Sequence, residues 1–382
     1  MRLRSGAIVI GLTLIFAILW LMWPSPINPV YWDEPEAPAM TGVLAPNDAL
    51  RDARFIPVGL VGAARCVLLG EDGTVYYGNA SGAVLRHDPD GGGAPDQVLA
   101  ELGELPVIGL EWINPTKLGV ATPDGLFAIN LSDGSARRIS AGVPGYPFGH
   151  AKDLAVTADG DIYFTDSSVL LGRRGNHRTD TLDMLENRPH GALYVWDPRT
   201  HQTRLAADRL YFPNGIAVSS DGQSVFISES FRYRILRHWV NGPNAGEIEV
   251  FADNLPGLPE GLATDGAGHL FVAIPAQRTA VLRTIRRHPW LAQIVSRLPV
   301  WLQPSGGAGR PLIAVLDENS GTIVSTLHDP DGGLCQLSDI TLSSERDLWF
   351  GSSDCSYIAR LPQATVYAGL ERPGLATTGD GR

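Results

Sequence analysis

The sequence is short of positive charge: 30 Lys and Arg stand against 41 Asp and Glu, a formal net charge of -11. A nucleic acid is held by a positive patch that displaces counterions, so this balance excludes it as a partner. Cysteine is scarce as well. Cys66, Cys335 and Cys355 form no Cys-x-x-Cys pair and no Cys/His spacing of a zinc site. No glycine-rich loop follows a strand and opens a helix, which removes the usual phosphate cradle. Asp166-Ser167-Ser168 puts serines beside an acid but lacks the Gly-x-Ser-x-Gly elbow, so a serine-hydrolase triad is not expected. Charged residues make up only 19%, and helical periodicity is missing between most apolar segments. The first argues against disorder and the second against a parallel α/β sheet.

One long apolar run is present, Ala7 to Trp23, behind Arg2 and Arg4 and ending at Pro24. At about 1.5 Å per residue it reaches roughly 25 Å, enough for a thin bilayer core. The basic start favours a cytoplasmic N-terminus. A cleaved signal peptide fits the same pattern, but no small-x-small site follows Trp23. Residues 1–24 are therefore read as a cytoplasmic stub and transmembrane signal-anchor, with lipid as a partner and the body on the extracytoplasmic side of a single-pass membrane protein. Residues 25–46, rich in Pro and Ala, read as a stiff tether that holds the folded part off the lipid. Residues 47–369 form the folded part and 370–382 a flexible tail.

What fills the folded part is a recurring unit of apolar strand, Asp-Gly-like turn, second strand, turn and third strand. Asp72–Gly78 with Gly82–Arg86 sets the pattern, and it returns as Lys117–Ala121 with Gly125–Ile129. It continues through Asp159–Asp166 with Gly191–Trp196, Asp221–Ile227 with Tyr233–Arg237, Gly268–Ala273 with Leu312–Leu316, and Asp347–Gly351 with Tyr357–Leu361. A four-stranded sheet cannot bury both faces alone, so six such units predict an all-β, six-bladed β-propeller, preceded by the one transmembrane helix. Arg54–Val58 is expected to supply the outer strand of the last blade, which closes the ring and leaves no long sheet edge.

Two insertions, Val169–Pro189 and Arg278–Pro304, each join the second strand of a blade to its third and so fall on the channel-mouth face. The first is polar and contains His177, Arg178 and Asp183; the second has apolar residues at helical spacing, with Arg283, Arg286, Arg287 and Arg297 on the remainder. A helical cap packed on the blades and a lid or membrane-facing patch both fit. Cys335 and Cys355 bracket the last blade at one end of a hairpin, which makes a disulfide plausible, whereas Cys66 reads as a small buried hydrophobe. The turn aspartates Asp72, Asp159 and Asp221 read as structural.

Three motifs, Tyr163-Phe164-Thr165-Asp166-Ser167-Ser168, Phe212-Pro213-Asn214-Gly215-Ile216-Ala217-Val218-Ser219 and Leu255-Pro256-Gly257-Leu258-Pro259-Glu260-Gly261, resemble the strictosidine-synthase-like family, a group that includes the adipocyte plasma membrane-associated proteins. The likeness runs in order from about Val58 to Leu361. It implies a six-bladed propeller, often membrane-anchored, within a superfamily of gluconolactonases, paraoxonase-like esterases and regucalcin. Many of those hold calcium in the channel on one Glu, two Asn and one Asp. The positions that match here are Arg65, Lys152, Asn214 and Glu260, so two oxygen ligands are replaced by cations. Calcium wants six to eight oxygens. No cofactor is therefore expected, and Asn214 and Glu260 are the only ligands left if any metal binds.

The resemblance also places Asp339 where the plant synthase carries its basic glutamate. With Arg65 and Lys152 nearby it is expected to stay ionised and to act as the base. His150, beside Lys152 and Asp153, is the second candidate by its natural pKa, unless it is a hydrogen-bonded loop histidine. Arg65 and Lys152 are expected to stabilise an oxyanion, and Asp153, Asn214 and Glu260 to line the substrate channel. Three readings follow: a hydrolase of small esters or lactones acting on a small-molecule substrate, a strictosidine-synthase-type condensation of an amine with an aldehyde, or a non-catalytic scaffold whose charged ring is a salt-bridge plug.

Overall fold

The computed structural model describes residues 24–58, 63–89, 95–143, 146–169, 177–304, 310–368 and 370. The expected anchor helix over Ala7–Trp23 and all of the tail but Leu370 lie outside the described residues. No helix among the described residues is long and apolar enough to cross a membrane.

Strands form where the sequence alternates apolar and polar residues between turn-formers, and the turns are fixed by their own side chains. Asp72 Oδ1 accepts the Thr74 amide at 3.0 Å, and Asp221 Oδ1 accepts the Gln223 amide at 3.0 Å. Twenty-four strands make six four-stranded antiparallel sheets, as the repeat predicts. Their inner strands, blade 1 to blade 6, are Ala64–Leu69, Gly109–Asn114, Ala151–Val156, Pro213–Val218, Leu262–Thr264 and Leu337–Leu342. The ring closes as expected: Arg54–Pro57 pairs antiparallel with Tyr357–Leu361, Phe55 opposite Ala359, so N-terminal sequence completes blade 6.

The core is distributed between the blades rather than gathered at one centre. Phe271, Ile313 and Val315 of blade 5 pack on Leu337, Ile340 and Phe350 of blade 6, all nearly inaccessible to solvent. Burying each such side chain stabilises the fold by roughly 1.5–3 kcal/mol. Near the axis the inner strands approach so closely that a side chain will not fit at certain positions. A Cβ on Gly215 would fall inside contact distance of the Glu260 carbonyl oxygen, and one on Gly261 would lie 2.7 Å from Asp339 Cα. Each glycine thus lets its blade touch the next, and the residue before it, Asn214 or Glu260, lines the cavity at the mouth.

Both insertions fold into helices on the mouth face. The first carries helix α1, His177–Glu186, although its polar sequence gave no helical signal; the second carries α2, Ala280–Arg287, and α3, Pro289–Ser296. Thr279 caps α2 by accepting the Leu282 amide, and Pro289 opens α3. The segment expected to be a tether is instead a strap packed on this cap, which corrects that reading. Ile27 is buried among Leu182, Leu185, Ile285, Ala292 and Val295, and the Val30 amide donates to the Glu186 carbonyl at 3.1 Å. Trp32 stacks on Tyr233, and Glu34 is buried against the guanidinium of Arg286 at 3.2 Å. The cap exposes apolar and basic groups that proline-rich composition could not reveal as the strap's partners.

Candidate active site

Three connected spaces lie along the propeller axis. An open vestibule of about 420 Å3 is walled by Met184, Phe212, Phe231, Leu258, Val300 and Trp301. It shares Lys152, Asp180, Glu260 and Gln336 with a polar throat of about 110 Å3, which Arg65, Asp153, Asn214, Ser338, Asp339 and Ser353 complete. Asp153 and Asp339 in turn line a channel of about 250 Å3 to which all six inner strands contribute. Six of the seven residues singled out from sequence as catalytic or channel-lining therefore converge on the throat. His150 is the exception: it is buried, and its Nδ1 lies 3.5 Å from Asp180 Oδ1.

The backbone around these residues is held by carboxylates. Asp166 accepts the Gly149 amide at 2.7 Å and the His150 amide at 2.8 Å, fixing the entry to the blade 3 inner strand. Asp153 Oδ2 takes the Ile216 amide of blade 4 at 3.0 Å, and Asp339 Oδ2 takes the Val67 amide of blade 1 at 3.0 Å. Both are staples between neighbouring blades as well as cavity walls. Phe212 sits at φ 57, a left-handed conformation that a bulky residue rarely adopts, and it stacks on Phe231 at 4.1 Å. The Lys152 ammonium lies 5.0 Å from the Phe212 ring centre.

Burial reshapes the titration of this region. Glu260 is pushed up to about 7 by desolvation, against the pull of Lys152, while Asp180 pushes the same way as burial. Asp153 and Glu111 are each raised to about 7, again by desolvation first. Asp339 stands well above the usual carboxylate range because of burial and then the neighbouring Asp153. The expectation that nearby cations keep Asp339 ionised is thus corrected. His150 is lowered by burial and by Lys152, so the neutral ring is favoured.

The salt-bridge plug is not built as expected either. Among the described residues no ion pair within 4.0 Å joins Arg65 or Lys152 to Glu260 or Asp339; Lys152 instead faces Asp180 at 3.9 Å. Asp180 and Glu111 are site residues that sequence reasoning missed. Asp180 arrives from helix α1 in an insertion, outside the blade repeat. Glu111 follows Gly109-Leu110 on an inner strand, and its position there is the signal that marks a channel-facing residue.

Cys335 and Cys355 are disulfide-bonded with Cα atoms 6.1 Å apart, as expected, and Cys66 is buried and free. The bond ties the Gln336 and Ser353 segments of the throat together. The residues fit calcium poorly. Arg65 and Lys152 put two cationic side chains into the throat, and among the described residues the only close trio of His, Cys, Asp or Glu donors is Cys335, Asp354 and Cys355, whose sulfurs are spent in the disulfide.

Comparison with known proteins agrees with this architecture. The family model for strictosidine synthase matches residues 152–243. The chain is 30% identical over 365 residues to the adipocyte plasma membrane-associated protein of Gallus gallus, covering 88% of this chain and 84% of that one. It is 29% identical over 386 residues to the Salmo salar protein of the same name, covering 95% and 89%. A gluconolactonase from Xanthomonas campestris shares the fold with a TM-score of 0.58 at 20% identity, covering 89% of this chain and 99% of that one.

Proposed function

As the chain belongs to the strictosidine-synthase-like family, of the type of the adipocyte plasma membrane-associated proteins, we propose that its mouth cavity hydrolyses small esters or lactones. One observation carries this reading: Glu260, a carboxylate with a pKa of about 7, shares a small cavity with two cationic side chains, Arg65 and Lys152. A base works best when its pKa lies near the working pH. No described residue donates a hydrogen bond to the Glu260 carboxylate, so it is free to take a proton from water.

In this mechanism the acyl carbonyl enters from the vestibule with its oxygen toward Lys152 and Arg65. Water attacks the carbonyl carbon, its proton passes to Glu260, and the tetrahedral oxyanion is held by the two cations. Collapse breaks the C–O bond, and the departing alkoxide takes the proton back from Glu260. Charge stabilisation of the oxyanion contributes on the order of 3 kcal/mol to the rate. Asp339, placed first by the sequence, becomes a staple to Val67, and His150 orients Asp180. The uncharged run Ala7–Trp23, together with the relatives' name, supports a single-pass anchor with the propeller outside the cytoplasm.

The test is a screen of the full chain against aryl esters and lactones, with and without calcium, and with Glu260→Gln, Asp339→Asn and His150→Ala alongside. We expect kcat/KM to rise with pH through about 7 and then level, and Glu260→Gln to lower it by roughly 100-fold or more. Full turnover in Glu260→Gln would remove the base. Absence of ester and lactone turnover, with product formed from an amine and an aldehyde, would move the assignment to condensation.

A further inference from the structure

Val300, Trp301 and Leu302 are 43%, 80% and 50% exposed, the one run of three consecutive exposed large apolar residues among those described. Trp290 at 61% and Val281 at 62% lie on the two helices just before them. Elsewhere among the described residues the exposed large apolar residues stand singly or, as Ile248 and Val250, alternate along one outer strand. An exposed apolar turn of this kind, with a second exposed tryptophan on the helix before it, marks a surface with a partner. Val300 and Trp301 also form part of the vestibule wall.

Where the chain enters the fold identifies the partner. Ser25 Oγ lies 3.3 Å from Ser296 Oγ at the end of α3, four residues before Val300. The uncharged run Ala7–Trp23 ends at the residue before Pro24, so whatever that run enters is within a few residues' reach of this patch. Three of the cap's basic residues are meanwhile paired with acidic residues of the strap. Arg286 and Arg278 face Glu34, and Arg287 faces Asp33. Contact through this face is apolar, with tryptophans that suit the boundary between headgroups and acyl chains.

We propose that the mouth face of the propeller rests on the lipid surface, with Trp301, Trp290 and the Val300–Leu302 turn inserted at the interface, so that the vestibule opens onto the bilayer. The proposal rests on the anchor in the preceding reading and is independent of the hydrolysis. It makes the favoured substrate an amphiphile: an acyl ester or lactone whose apolar tail comes from the membrane while its carbonyl reaches Lys152 and Arg65.

Site-directed spin labelling of the full chain in phosphatidylcholine vesicles tests it. Trp301→Cys and Trp290→Cys carry the label, and Val250→Cys and Leu205→Cys, 48% and 47% exposed on outer strands, serve as controls. Cys66 is buried and the other two cysteines are bonded to each other, so only the introduced thiol reacts. Labels at 301 and 290 should collide more with oxygen and several-fold less with a water-soluble nickel chelate than labels at 250 and 205. Equal chelate access at 301 and 250 overturns the proposal, as does a chain that fails to float with the vesicles. Label-to-label broadening at 301 would identify a second copy of the chain on this face, and shielding from both probes without broadening would identify a protein cover; either also overturns it. None of these outcomes depends on turnover, so failure here and failure of the hydrolase reading are distinguishable.

Discussion

Replacing Glu111 by glutamine should stabilise the protein at alkaline pH and leave it unchanged in acid. Burial raises this carboxylate from 4.5 to about 7, chiefly by desolvation. Between those values the unfolded chain has lost the proton and the folded chain has kept it, so folding stability falls as pH rises through the window and stays reduced above 7. A difference of about 2.5 pKa units corresponds to about 3 kcal/mol at 1.36 kcal/mol per unit. Glu111 lines the channel and is only partly buried, so screening reduces this to on the order of 2 kcal/mol. Glutamine keeps the acceptor that takes the Trp112 amide at 2.7 Å and removes the charge. Thermal midpoints of wild type and Glu111→Gln in detergent micelles, read by circular dichroism, should nearly coincide at pH 5. At pH 8 the variant should melt higher by on the order of 4 °C. Equal midpoints at pH 8, or a variant less stable there, would refute the claim that the channel holds an uncompensated carboxyl group.

Two further substitutions probe the architecture. Glu34→Ala leaves Arg286, which is 1% exposed, without its carboxylate and should cost about 3–5 kcal/mol, seen as a lower melting midpoint and faster proteolysis within 278–304; an unchanged midpoint would show that the strap is not holding the cap. Gly261→Ala places a Cβ 2.7 Å from Asp339 Cα, a clash between backbones that should cost roughly 1–3 kcal/mol. Gly333→Ala, with nothing within 4 Å, should leave the midpoint unchanged and serves as its control.

The part of the site legible in sequence was the part carried by the repeat. Arg65, Lys152, Asn214, Glu260 and Asp339 each occupy an inner strand or the residues just before one, so counting blades and matching motifs was enough to bring them to one cavity. His150 falls just before the strand, which begins at Ala151, and its ring is buried beside Asp180 and does not line the throat. Asp180 was missed because it enters from an insertion with no periodic signal. The strap was misread because proline-rich composition describes stiffness and says nothing about what the chain lies against.

By itself the sequence determined the number of blades and the family, since both follow from spacing and motifs along the chain. It pointed to ring closure by Arg54–Val58 and made the disulfide plausible, and the fold realises both by pairing Arg54–Pro57 with Tyr357–Leu361 and joining Cys335 to Cys355. Only the tertiary structure decided which carboxylates are buried, that Lys152 meets Asp180 rather than Glu260, and that the N-terminal strap binds the cap over the mouth. Those outcomes depend on desolvation and on contacts between blades. Both are set by where distant segments come to rest, a quantity that no local pattern encodes.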